Sequence, residues 1–377
     1  MEEPQQRDRE AKPGQRLGSV AGIPVYASAS WIVAAVVITV IFAPAVTARV
    51  PGIGVVGAHL VAFVFAVLLY ASVFVHELGH ALTALRLGLP VRRITLHLLG
   101  GVSEIAEEPP TPARELLVSA AGPLLSLVIG GGALAAALAA QDGTIAYVLL
   151  MQLAIANLLV AGFNLLPGLP LDGGRLLRAA VWAVTGRPNA GTRVAAYVGR
   201  GLALLVVAVP IAVAYAGGGQ PSLLGLLWAA LIAAFIWSGA TQALASARLR
   251  ERLPELRAAA FARRALPVLA DVPLAEALRR LQADGAGALV VVDREDRPIG
   301  IVSEAAVRAT PVDRRPWVPV GDLARRIEPG SPVAFDLQGE ELVRALDGPG
   351  ERLVVDADGR VFGVLSVEDV GRALSRR

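Results

Sequence analysis

Six apolar runs, each long enough to cross a bilayer, occupy about 27–48, 56–84, 115–140, 144–166, 197–216 and 223–245. A helix rises about 1.5 Å per residue and the hydrocarbon layer is about 30 Å thick, so about 20 apolar residues span it. Lipid offers no water to a free N–H or C=O, so such runs must satisfy their backbone as helices. Hydrophobic residues make up 55% of the 377 and charged ones 18%, too apolar a balance for an ordinary soluble chain. The expected fold is therefore a multi-span α-helical membrane protein of about six helices. Its final third, charged from about Arg248 onward, reads as a soluble α/β domain.

The basic residues orient the spans. Arg7, Arg9, Lys12 and Arg16 precede the first run, Arg86, Arg92 and Arg93 follow the second, and Arg114 precedes the third. Arg175, Arg178, Arg187 and Arg193 lie between the fourth and fifth, Arg200 stands at the start of the fifth and is counted with them, and Arg248, Arg250 and Arg252 follow the sixth. The opposite loops hold only Arg49, so both termini are expected in the cytosol. Residues 1–17 carry both signs of charge, lack the form of a cleaved signal, and read as a disordered cytosolic tail. A net charge of +3, spent on loops, gives no surface for direct nucleic-acid binding.

Two segments next to the spans are not plain helix. ITLHLLGGVSEI (94–105) alternates apolar and polar residues before a Gly-Gly pair and reads as a short hairpin. NLLPGLPLDGG (164–174) carries prolines and glycines that must break the fourth span. Irregular backbone at that depth requires burial in protein or a wet cavity.

The chemistry sits in VFVHELGHAL (73–82), where His76, Glu77 and His80 interrupt an otherwise lipid-soluble run. On a helix, histidines four apart share one face, so both imidazoles reach one zinc ion and Glu77 stands beside its water as general base. Ionisable groups inside a membrane are expensive and usually functional. With no cysteine in the chain, a third ligand must be His, Asp or Glu. His59 is about 25 Å away along the same helix. Asp172, alone between Asp142 and Glu251 and set in the broken fourth span, is the expected third ligand; His97 in the hairpin stays open as the alternative.

HELGH at 76–80 followed by FNLLPGLPLDGG at 163–174 resembles the site-2 protease family of intramembrane zinc metalloproteases, especially its six-span bacterial group. The resemblance implies one Zn2+ per chain on His76, His80 and Asp172, with Glu77 activating water. It implies that Asn164 lies near the scissile peptide, and that Gly100 and Gly101 form a loop beside which an unwound substrate pairs as a strand. AAGPLLSL (120–127) resembles the family's third core span, where small residues allow close helix packing. The implied activity is regulated intramembrane proteolysis of a membrane-anchored protein such as an anti-sigma factor. The implied location is a bacterial cell membrane.

After the last span the text repeats itself. ALVVVDREDRPIGIVSEAAV and RLVVDADGRVFGVLSVEDV each give a strand, an acidic turn, a Gly-led strand and a helix start, within units at 265–311 and 318–377. This duplication resembles a tandem CBS domain pair. The strand-end pattern of that family is complete at Gly363, Ser366 and Asp369, which implies an adenine nucleotide there. The first copy has Gly300 and Ser303 but Ala306 in place of the Asp. Such pairs also associate, so the tail is expected to regulate the enzyme or to form a homodimer. The competing classes are a CBS-regulated transporter, which predicts paired broken helices in two related halves, and an inactive scaffold, which would not require Glu77.

Overall fold

The computed structural model describes residues 14–97, 100–253, 256–327, 332–346 and 350–375. The chain divides into two compact units, Met1–Ala245 and Ser246–Arg377.

In the first unit the apolar runs form α1 (Ser30–Arg49), α2 (Gly54–Arg86), α3 (Pro112–Ala139), α4 (Ile145–Asn164), α6 (Pro188–Ala216) and α7 (Leu223–Arg252). Six described helices are long and apolar enough to cross a membrane. A seventh, α5 (Asp172–Thr185), is a short amphipathic helix after the break in the fourth span. Local signals set the ends. Thr111 caps α3, its side chain accepting from the Arg114 N–H, with Pro112 in the first turn, and Thr144 caps α4 through the Tyr147 N–H. Small residues bring the helices close: the Cβ position of Gly79 on α2 lies 3.1 Å from the Ala121 carbonyl oxygen of α3, and that of Gly130 on α3 lies 2.9 Å from Leu158 of α4.

A four-stranded sheet in the order β1-β2-β3-β4 packs on α2. β1 (Gln15–Val20) and β2 (Ile23–Ala27) form a hairpin that turns at Ala21 and Gly22, both at positive φ. β2 runs parallel to β3 (Val91–His97), which pairs antiparallel with β4 (Gly100–Ile105). Ile23 and Ile94 from the sheet bury against Ala81 of α2. That contact lays the sheet beside HELGH, and among the described residues β4 is an edge strand.

Several expected boundaries move. Residues 15–17, assigned to a tail, are in β1, while 1–13 fall outside the described residues. The first span begins at Ser30, because Ile23, Val25 and Ala27 point into the sheet core. The expected hairpin gains residues 91–93 at its start, and its Leu98 and Leu99 lie outside the described residues. The fifth span starts at Pro188, nine positions before the expected 197; RPNAGTR reads as loop by composition but is held as helix by Gly191, Thr192, Ala195 and Ala196 buried against neighbours. Arg193 and Arg200, counted as loop charges, are thus in α6, where Arg200 lies over the Trp237 ring of α7 at 5.0 Å.

The second unit carries a seven-stranded sheet ordered β8-β7-β6-β5-β11-β10-β9. Its first copy is β5 (Arg263–Leu269), α9 (Leu274–Asp284), β6 (Ala288–Val292), β7 (Pro298–Val302) and α10 (Glu304–Ala309), preceded by α8 (Ala258–Phe261). After β8 (Ala324–Arg326), β9 (Val333–Ala334), α11 (Gly339–Ala345), β10 (Glu351–Val355), β11 (Val361–Ser366) and α12 (Val367–Ser375) repeat the same order. β5 of one copy pairs with β11 of the other, so a single sheet joins them. At that seam Arg263 pairs with Glu304 and Glu351. Burial alone lowers the Arg263 pKa, but these carboxylates outweigh it and leave the guanidinium above its ordinary value.

Candidate metal centre

α2 presents His76 and His80 one turn apart, and α5 presents Asp172 as its first residue. His76 Nε2 lies 3.2 Å from His80 Nε2, and Asp172 Oδ2 lies 3.2 and 3.3 Å from the two ring nitrogens. Four ligands set tetrahedrally about 2.0 Å from an ion are separated by edges of about 3.3 Å, so these atoms have the spacing of one face of a zinc tetrahedron. The far nitrogen of each imidazole also has a partner. His80 Nδ1–H donates to the Val118 carbonyl at 2.7 Å, and His76 Nδ1 lies 3.0 Å from Ser126 Oγ. Where Nδ1 carries the proton, Nε2 turns its lone pair inward, toward a carboxylate oxygen. Three electron-pair donors facing one another, two of them buried and the third half-buried, repel unless a cation sits among them, and this donor set suits zinc.

Room for the imidazoles comes from α3. A Cβ on Gly122 would stand 2.2 Å from His80 Nε2 and 2.7 Å from His76 Nε2. The AAGP stretch, read as a packing motif, therefore leaves space for the donors themselves. Asp172 is held by its loop. Leu169 N–H donates to the Ala195 carbonyl of α6, Gly199 of α6 abuts the Leu169 backbone, and Gly239 of α7 abuts the Pro170 ring. Gly173 and Gly174 admit the returning backbone of Leu165 to Leu169.

Glu77 points from α2 toward the sheet. Its Oε2 accepts from Ser103 Oγ of β4 at 2.8 Å, and a Cβ on Gly101 would strike Glu77 Cγ at 2.3 Å. Gly100 and Gly101, expected in a loop, are the first two residues of strand β4, with Gly101 against Glu77. Asn164 closes α4 eight positions before Asp172 and is half-buried. His97 is exposed at the end of β3 and His59 is bonded to Val55 on its own helix; neither is in the donor cluster. Ser366 ends β11 and Asp369 lies in the first turn of α12, where it pairs with Arg372.

Sequence reasoning missed Gly122, Ser126, Ser103 and a buried ion pair. Glu115 of α3 is fully buried and accepts from Arg178 of α5 at 2.6 Å, and Arg178 also reaches Glu108 at 3.1 Å. By sequence alone Arg178 reads as a loop charge. The signal was the acidic Glu115 at the start of an apolar span, which demands a partner.

Known proteins resemble the chain in both of its units. The Peptidase family M50 profile matches residues 64–146 and 133–208, and the CBS domain profile matches 259–310. A Synechocystis protein named "Putative zinc metalloprotease sll0528" is 29% identical over 95% of each chain. "Putative zinc metalloprotease Rip3" of Mycobacterium tuberculosis is 34% identical over 82% of this chain and 79% of its own. The solved site-2 protease from Methanocaldococcus jannaschii is 31% identical, covers 61% of this chain and 94% of its own, and aligns with a TM-score of 0.44. The M50 match spans both the HELGH helix and the Asp172 helix, and the transporter reading falls with it. The chain belongs to peptidase family M50, the site-2 protease family of membrane metalloproteases, and carries a C-terminal CBS module.

Proposed function

We propose that the protein is a zinc-dependent intramembrane endopeptidase that cuts a membrane-anchored protein, with His76, His80 and Asp172 holding the metal and Glu77 as general base. The observation that carries this reading is the triangle of donor atoms at 3.2–3.3 Å in a buried site with Glu77 adjacent in sequence. A bound zinc ion supplies Lewis acidity that makes water nucleophilic near neutral pH. The Glu77 carboxylate takes the proton from the attacking water and returns it to the departing amide nitrogen. Ser103 orients that carboxylate, and Gly101 lets it approach β4.

A peptide bond inside a transmembrane helix is shielded by its own hydrogen bonds, so the substrate must be unwound before attack. The free edge of β4 offers unpaired backbone groups to an extended peptide beside Glu77. Asn164 is the proposed substrate-positioning group. The bacterial relatives support a bacterial cell membrane, and the charge pattern supports both termini in the cytosol. The CBS pair regulates activity or joins two copies, with an adenine nucleotide at Ser366 and Asp369. An anti-sigma factor or a similar anchored regulator fits the substrate class.

The test is the zinc content of the detergent-purified protein beside Asp172→Ala and Glu77→Gln, read with cleavage of a membrane-anchored reporter. About one zinc is expected in wild type and in Glu77→Gln, marked loss in Asp172→Ala, and cleavage only by wild type. A wild-type protein that stays metal-free under zinc-replete conditions would overturn the reading.

A further inference from the structure

We infer that the buried Glu115–Arg178 ion pair positions the third metal donor, fixing the rotation and depth of α5 against α3 so that Asp172 meets the two imidazoles. This inference rests on the reading of Asp172 as a zinc ligand. The pair lies outside the donor cluster, and nothing in the proposed chemistry uses it.

The argument begins with one face of α3. Glu115, Val118, Gly122 and Ser126 follow one another at intervals of three and four, the spacing of a single helical stripe. Val118 orients His80, Ser126 meets His76, and Gly122 clears space for both. Glu115, at the head of the stripe, holds Arg178 of α5. Both halves of the donor set are therefore referenced to the same helix. α5 needs such a reference, because Asp172 stands at its first residue after an irregular loop and the helix is only 14 residues long. Arg178 is six positions on, about 9 Å along the axis. At the same turn α6 closes on it: a Cβ on Gly191 would lie 2.4 Å from the Arg178 carbonyl oxygen.

Stability does not explain the pair. Replacing a buried ion pair with apolar residues of similar volume is often neutral or stabilising. This one leaves Glu115 Oε2 and Arg178 Nε buried without hydrogen bonds. An apolar seam would, however, allow α5 to slide or rotate by a fraction of a turn. A guanidinium fork held between Glu115 and Glu108 is directional and does not.

The experiment measures zinc affinity by chelator competition on the full-length detergent-purified protein, together with the melting temperature of the metal-free form. The variants are Glu115→Leu/Arg178→Met, Asp172→Ala and the triple substitution. The double variant is expected to bind zinc at least about tenfold more weakly, with a metal-free melting temperature equal to or above wild type. In the Asp172→Ala background the same two changes should cost nothing further, because their effect passes through Asp172. Arg178→Lys keeps the charge and loses the fork, so it should weaken zinc binding several-fold, and it serves if the double variant does not fold. Wild-type affinity in the double variant or in Arg178→Lys would overturn the inference, as would an equal loss in the Asp172→Ala background. Undiminished affinity in Asp172→Ala itself would instead overturn the ligand assignment beneath it.

Discussion

Gly122→Ala separates the metal centre from the fold with one methyl group. The added carbon would stand 2.2 Å from His80 Nε2, against the 3.4 Å at which ordinary contact begins, a shortfall of about 1.2 Å. His76 Nε2, at 2.7 Å, is short by about 0.7 Å. Neither ring can retreat by that much and keep its bond to Val118 or its contact with Ser126. Metal sites tolerate ligand displacements of about 0.2 Å, and misplacement of a reacting group by 1 Å costs about a hundredfold. Zinc affinity is therefore expected to fall at least about a hundredfold, or about 2.7 kcal/mol. The fold should hardly notice. Alanine gains about 1 kcal/mol over glycine inside a helix, and this offsets a lost hydrogen bond worth about the same. The assay pairs chelator competition with thermal unfolding of the metal-free protein. Wild-type zinc affinity in Gly122→Ala would refute the claim that α3 clears space for the donors.

Gly101→Ala should leave zinc bound and remove cleavage, since its Cβ would meet Glu77 Cγ at 2.3 Å while the donor cluster is untouched; metal analysis beside a cleavage assay reads both. Ser103→Ala frees Glu77 Oε2 and is expected to lower kcat about tenfold at unchanged zinc content, as seen in steady-state cleavage of a reporter. Glu77→Gln should lower the cleavage rate by at least a hundredfold with zinc retained, the loss usual for a missing general base. For the nucleotide site, calorimetric titration with AMP and ATP should give binding to wild type and none to Ser366→Ala/Asp369→Ala; heat from the variant equal to wild type would move the ligand elsewhere.

What could be read from the sequence was local or compositional. Apolar length marked the six spans, and spacing of four on α2 marked His76 and His80 as neighbours. Asp172 stood out because a lone carboxylate in apolar text has few explanations. The β1–β2 hairpin escaped notice because QRLGSVAGIPVYA is short, polar at one end and merges with the first span, and its pairing with β3 joins residues about 70 positions apart. Arg178 looked like any loop arginine because its partner Glu115 is 63 positions away. Gly122 looked like packing because a residue without a side chain carries no chemical label, and its purpose is visible only from what it leaves empty.

The donor set has one more consequence. His80 and Asp172 are 92 positions apart, and the chain has no cysteine with which to staple such a span. An ion held between α2 and α5 as proposed would close that loop as a disulfide does in a secreted protein, and closure of so long a loop removes freedom chiefly from the unfolded chain. On that reading the metal donors of the hydrolytic centre are also a molecular clasp.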